Sequence, residues 1–107
     1  MTVTLPPDLA AFAAQAGEVA GLLKAMANQR RLMVLCTLVE VGEMRVGDLV
    51  EAIGISQSAL SQHLALMREE GLVTFRRDSQ VLWYRIADPR TEALLAALHD
   101  IFCPKET

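Results

Sequence analysis

Few side chains in this chain can do chemistry. There are two cysteines, Cys36 and Cys103, and two histidines, His63 and His99. Two thiols in 107 residues are not a disulfide scaffold. In a reducing compartment they are either inert core groups or chemically used ones. On pattern alone Cys36 reads as a buried core thiol, a common fate for cysteine. Cys103 ends a helix beside Pro104, where a thiol is accessible. There is no Gly-rich phosphate loop, no Ser/His/Asp set and no carboxylate pair in a recognisable pocket, and the two histidines stand on different helices. These gaps argue against an enzyme.

The other chemically expressive stretch is neutral. Ser56, Gln57, Ser58, Ser61 and Gln62 fall close together, followed by His63. At 100° per residue, Ser58, Ser61, Gln62 and Ala65 lie opposite Leu60 and Leu64. A helix face of hydroxyls, an amide and a small apolar group suits base edges in a major groove, where Gln pairs with adenine and Ser with several bases. Ser56 and Gln57 stand at the helix start, where backbone N–H groups meet phosphate. His63 lies between the two faces and serves either a phosphate or a structural hydrogen bond. Arg76, Arg77 and Arg85 sit further on, around Asp78-Ser79-Gln80. Basic hairpin residues beside such a helix fit backbone or minor-groove contacts. Each residue alone fits an ordinary solvated surface, and the combination carries the reading.

These groups need elements to hold them. Pro6-Pro7-Asp8 opens a helix, and Leu9, Phe12, Ala13, Ala16, Val19, Ala20 and Leu23 continue it at helical spacing to about residue 26. It carries more apolar surface than one face needs, so a partner is expected to cover it. Asn28 caps a second helix that Gly42 ends. A third runs from about Val46 to Ile53. Gly54 makes the turn, Ile55 plugs the angle, and Ser56 caps a fourth helix that stops at Gly71. The period then changes: Leu72 to Arg77 and Val81 to Ala87 form a hairpin. Asp88-Pro89 starts a last helix ended by Pro104. Four helices, a two-stranded hairpin and a final helix make a mainly α winged helix-turn-helix.

Size and composition agree with this. One domain spans residues 1–107, with 1–7 flexible, 46–67 the helix-turn-helix and 72–87 the wing. At 52% hydrophobic and 21% charged it is no disordered tail. No apolar run reaches the roughly 18 residues of a membrane span. The first basic residue is Lys24, so a charged secretory n-region is missing, and a cytoplasmic protein without membrane association is expected. The net charge of −3 speaks weakly against nucleic acid, but the segment from Ser56 to Ile86 sets Arg68, Arg76, Arg77 and Arg85 against only Glu69, Glu70 and Asp78.

The chain resembles the ArsR (SmtB/ArsR) family of bacterial winged-helix repressors. The resemblance rests on Leu23-Lys24-Ala25-Met26-Ala27-Asn28-Gln29-Arg30-Arg31-Leu32, Val46-Gly47-Asp48-Leu49, Ser56-Gln57-Ser58-Ala59-Leu60-Ser61-Gln62-His63-Leu64, Glu70-Gly71-Leu72-Val73 and Tyr84-Arg85-Ile86. It covers about residues 9 to 103. It implies a homodimer built by the terminal helices, 8–26 and 89–103, that binds double-stranded operator DNA until an inducer releases it.

The metal sites of that family do not carry over. Arg45 and Gly47 stand where the arsenic-type site has cysteines. Asp88-Pro89-Arg90 lacks the first histidine of the zinc-type site, and Phe102 follows His99 where a second ligand is required. The sequence therefore implies no metal and no cofactor. The pair Cys36 and Cys103 is similar instead to the sulfur- and redox-sensing branch, the BigR/SqrR/HlyU type, in which one thiol on each of these helices responds to persulfides or oxidants. The resemblance thus implies a Cys36/Cys103 sensing dithiol within one protomer. An unstrained link closing so long a loop would restrict the unfolded chain by ~4 kcal/mol. Three other readings stay open here. The thiols bind a thiophilic ion such as arsenite, the cysteines are structural and another inducer acts, or the winged helix binds protein.

Overall fold

The computed structural model describes residues 3 to 103. The expectations placed on residues 1–2 and on Pro104 lie outside the described residues. The elements are α1 (Pro7–Ala13), α2 (Ala16–Met26), α3 (Gln29–Val41), β1 (Met44–Arg45), α4 (Val46–Ile53), α5 (Gln57–Glu69), β2 (Val73–Asp78), β3 (Val81–Ile86) and α6 (Pro89–Phe102). The winged-helix order expected from sequence is present, with two differences.

The first helix is interrupted. Ala14 and Gln15 keep near-helical dihedrals, but the Gln15 amide donates to the Phe12 carbonyl three residues back. One tightened turn thus separates α1 from α2. Nothing in Ala13-Ala14-Gln15-Ala16 marks it, since all four are good helix formers. The hairpin also gains a short third strand. β1 pairs antiparallel with β3, giving the order β1-β3-β2, with Met44 opposite Tyr84 and Arg45 opposite Trp83. Two residues are too few to show alternation.

Capping follows the expected residues. The Asn28 side chain accepts from the amides of Arg30 and Arg31, Ser56 Oγ from Ala59, and Asp88 from Arg90. Gly54 closes α4 with φ +78° and ψ +35°, a left-handed conformation that favours glycine. The core gathers Val34, Leu35 and Leu38 from α3, Leu49 from α4, Leu60, Leu64 and Met67 from α5, Leu72 and Val73 at the wing, Tyr84 and Leu95. The three α5 residues are at most 1% exposed. Each such burial contributes about 1.5–3 kcal/mol, and together they fix which face of α5 looks outward.

The N-terminal arm lies outside this core. No residue of α1 is buried, and Leu9 and Phe12 are about half exposed. The radius of gyration, 16.5 Å, exceeds the ~13 Å of a compact chain of this length. Exposed Leu23, Leu94, Ile101 and Phe102 extend the uncovered apolar surface over α2 and α6.

Two glycines should respond oppositely to alanine. Gly54 has positive φ, so Gly54→Ala should lower stability by about 1 kcal/mol. Gly47 lies within α4, and no atom stands within 4 Å of the place a β-carbon would take. Gly47→Ala should therefore raise stability by up to about 1 kcal/mol. Urea unfolding of both variants checks the signs.

Candidate nucleic-acid interface and thiol pair

The α4–turn–α5 unit presents one continuous polar surface. Ser58, Ser61 and Gln62 are exposed along α5, while Leu60, Leu64 and Met67 hold its other side in the core. Ala65 is half-buried. Ser56 and Gln57 are exposed at the α5 start, where Ser56 Oγ is engaged as cap and lies 3.3 Å from Ser58 Oγ. The Ser56 hydroxyl thus serves the helix through one acceptor lone pair and shares a hydrogen bond with Ser58. A cleft of about 490 Å³ joins the α5 start to the wing, with Gln57 on one side and Gln80, Val81 and Leu82 on the other.

The wing sorts the three arginines. Side chains alternate across the sheet. Phe75 opposes Tyr84 and Arg77 opposes Leu82, so Arg77 shares the face of the buried Tyr84 and of Leu82 in the cleft. Arg77 thus sits at the tip on the side of α5. Arg76 opposes Trp83 on the other face. Its Nε lies 3.0 Å from Glu43, and its guanidinium lies 5.4 Å from the Trp83 ring centre. Arg45 stands 5.6 Å from the same ring and pairs with Asp48. Trp83 therefore packs between two guanidiniums, and Arg76 is committed within the fold. Arg85 is exposed but lines a small hollow with Leu38, Gly42 and Glu92, on the α3–α6 side of the sheet. By the hairpin register Arg77 shares one face of the wing with Leu82 and Tyr84, and Arg76 and Arg85 take the other.

His63 takes the structural alternative at one nitrogen. Arg31 Nε donates to His63 Nδ1 at 3.0 Å, and Arg31 Nη1 donates to the Ala25 carbonyl at 3.2 Å. Nδ1 is therefore an acceptor and the ring is neutral. Burial, and then the Arg31 and Arg30 cations, hold its pKa below the ordinary value. Arg31 thereby joins the α2 end and α3 to α5. Sequence reasoning missed this link, because its only sign is a pair of arginines after an N-cap. Arg68 adds a second brace, its guanidinium 3.4 Å from the Tyr84 hydroxyl and 5.2 Å from the Phe75 ring centre.

Cys36 is half-buried on α3 and Cys103 is exposed at the α6 end, and both are free thiols. Burial first, and then Cys103, raise the Cys36 pKa. A cavity of about 140 Å³ opens beside Cys36, between Val39 and Glu40 of α3 and Leu95, Ala96, His99 and Asp100 of α6. Ala96, His99, Asp100 and Cys103 follow helical spacing along one α6 stripe. Among the described residues no three His, Cys, Asp or Glu side chains come together to hold a metal ion.

Residues 28–74 match the family described as bacterial regulatory protein, arsR family. The biofilm growth-associated repressor of Xylella fastidiosa is 47% identical over 92 residues, 86% of this chain and 80% of that protein. This chain belongs to the arsR family. The transcriptional activator HlyU of Vibrio cholerae is 41% identical over 98 residues, 92% of this chain and 90% of that protein. The crystal structure of the repressor BigR from Xylella fastidiosa superposes with TM-score 0.81 at 45% identity, covering 88% of this chain and 95% of that one. Reduced HlyU from Vibrio cholerae gives 0.81 at 41% identity, covering 87% and 97%. As an arsR-family member the chain is a DNA-binding transcriptional regulator with a winged helix, not an enzyme. No helix of the described residues is long and apolar enough to cross a membrane.

The His63 link makes stability depend on pH with a definite sign. The unfolded histidine binds a proton near pH 6.5, whereas the folded one does so only at lower pH. The contribution is therefore complete above about pH 6.5 and is lost as the pH falls through the folded pKa. His63→Gln should flatten the decline of thermal midpoint between pH 7 and pH 5 relative to the unaltered chain. An equally steep decline would assign it to other groups.

Proposed function

We propose that the protein is a cytoplasmic homodimeric repressor that binds double-stranded operator DNA. Its inducer is a reactive sulfur species or oxidant that links Cys36 to Cys103. The observation that supports the dithiol part is that Cys36 and Cys103 are free thiols on α3 and at the end of α6, two helices that pack together in one protomer. The relatives named as repressors support the direction of regulation. The uncovered apolar surface of α1, α2 and α6 supports a dimer formed through 8–26 and 89–103.

In this reading Ser58, Ser61 and Gln62 meet base edges in the major groove, and Ser56 and Gln57 meet phosphate at the α5 start. Arg77 reaches the backbone from the wing tip. Arg76 and Arg85 serve the fold or its periphery, and His63 offers DNA at most its Nε2–H.

The switch balances with a persulfide as the only oxidant. One cysteine thiolate attacks the sulfane sulfur of R–S–SH, the donor S–S bond breaks, and RS⁻ leaves with the electron pair. The product is a cysteine persulfide. The second thiolate attacks its cysteine-bound sulfur and expels HS⁻, closing the disulfide. Two thiols are oxidised, and the sulfane sulfur is reduced to sulfide. A direct disulfide needs the two Cα atoms within about 7 Å, and one or two inserted sulfur atoms relax that limit. The closed bridge ties α3 to α6 and shifts the balance between states with different DNA affinity.

Fluorescence anisotropy on DNA from the protein's own promoter tests both parts. Reduced protein should bind, with affinity falling steeply with salt, and an organic persulfide should release it until reductant is added. Cys36→Ser should bind normally and ignore the persulfide. Release of that variant would sink the dithiol reading, and salt-independent binding would sink the DNA reading. Gln62→Ala should weaken specific binding by about 1–3 kcal/mol. Arg77→Ala should lower the salt slope by about one.

A further inference from the structure

The cavity beside Cys36 has a composition that selects what can enter it. Its volume, about 140 Å³, is close to that of a protein cavity that holds a single benzene ring. A group of a few heavy atoms fits, whereas a tripeptide thiol does not fit as a whole. The inner wall is apolar, with Val39 half-buried and Leu95 only 1% exposed. The mouth carries Glu40 from α3 and Asp100 from α6, both exposed. Among the described residues neither carboxylate has an ion-pair partner, in contrast to Glu18, Glu43, Asp48 and Asp88, each of which meets an arginine. His99 is the remaining polar group of the lining. The Cys36 sulfur thus shares its cavity with two carboxylates on opposite helices that have no ion-pair partner among the described residues.

We propose that this cavity is the entry site for the reagent that modifies Cys36, and that Glu40 and Asp100 restrict it to small sulfur electrophiles that are neutral or cationic. This rests on the dithiol reading above for its physiological meaning. Anionic donors meet like charge from two sides. Small persulfides in their protonated, electrophilic R–S–SH form reach the thiol and leave a short product in the cavity. The step is the one already balanced: Cys36 thiolate takes the sulfane sulfur, the donor S–S bond breaks, and the donor thiolate departs with the electron pair. Glu40 and Asp100 are specificity-determining residues and take no part in that exchange.

The test uses two alkylating probes of nearly equal size, neutral iodoacetamide and anionic iodoacetate. Cys103→Ser leaves Cys36 as the single thiol, and Cys36→Ser leaves Cys103. Mass spectrometry follows the rate at each. At Cys36 the ratio of neutral to anionic rate should fall about 5-fold when Glu40→Gln and Asp100→Asn are added. It should also fall with added salt, which a purely steric effect would not do. The same two substitutions should leave the ratio at the exposed Cys103 less affected. An unchanged ratio at Cys36 in the doubly neutralised variant overturns the proposal. This outcome is separate from the fate of the dithiol reading: failure of persulfide to release DNA would remove the inducer but leave the alkylation ratio to decide the cavity. Should both hold, cysteamine persulfide should release DNA from the reduced protein faster than the persulfide of 3-mercaptopropionate. The advantage should shrink in the neutralised variant.

Discussion

Everything on the exposed polar face of α5 depends on that helix being held by one side. Leu60, Leu64 and Met67 are fully buried at helical spacing, and a helix anchored by such a row cannot rotate without exposing apolar area. The opposite row is thereby fixed as Ser58, Ser61 and Gln62. The anchoring row decides which residues face outward, and their chemistry decides what they can read. Neutral donors and acceptors make poor partners for bulk phosphate charge and good ones for base edges. Gly54 sets the approach of α5 to α4 by adopting a backbone that other residues resist.

Two braces hold α5 beyond its apolar row, and they run to different neighbours. Arg68 reaches Phe75 and Tyr84 in the wing. Arg31 reaches His63 from α3 and also holds the α2 end through the Ala25 carbonyl. α3 is therefore shared: Asn28 and Arg31 at its start are tied to α5, and Cys36 further along faces α6. α3 thus joins its contact with α6 to the Arg31–His63 hydrogen bond with α5.

Most of the fold is legible because local rules agree with one another. Asn28, Ser56 and Asp88 cap as their types suggest, glycines close α3 and α4, and the change from helical to alternating period marks the wing. The break between α1 and α2 is illegible because it consists of one hydrogen bond shifted by a residue within an alanine-rich run. The strand β1 is illegible because its pairing is decided by β3, far along the chain. For the site, the polar face of α5 follows from periodicity, but the sorting of Arg76, Arg77 and Arg85 requires the hairpin register and the distant Glu43. The role of His63 likewise needed the three-dimensional partner Arg31.

The distribution of charge explains how a chain of net charge −3 can hold DNA and still let it go. Arg45, Arg76 and Arg90 are each matched with a carboxylate. Arg68 lies over an aromatic ring, and Arg31 is spent on His63. Lys24, Arg30, Arg77 and Arg85 have no carboxylate partner among the described residues, and Arg31 and Arg68 keep their charge beside neutral groups. Pairing therefore neutralises the arginines that stand beside acids and leaves cations that can supply sequence-independent attraction to phosphate. Hydrogen bonds from the neutral α5 face require donor–acceptor distances near 3 Å and fail with small displacements. Recognition built on such a face is therefore more sensitive to a small shift of α5 than the charge attraction beside it.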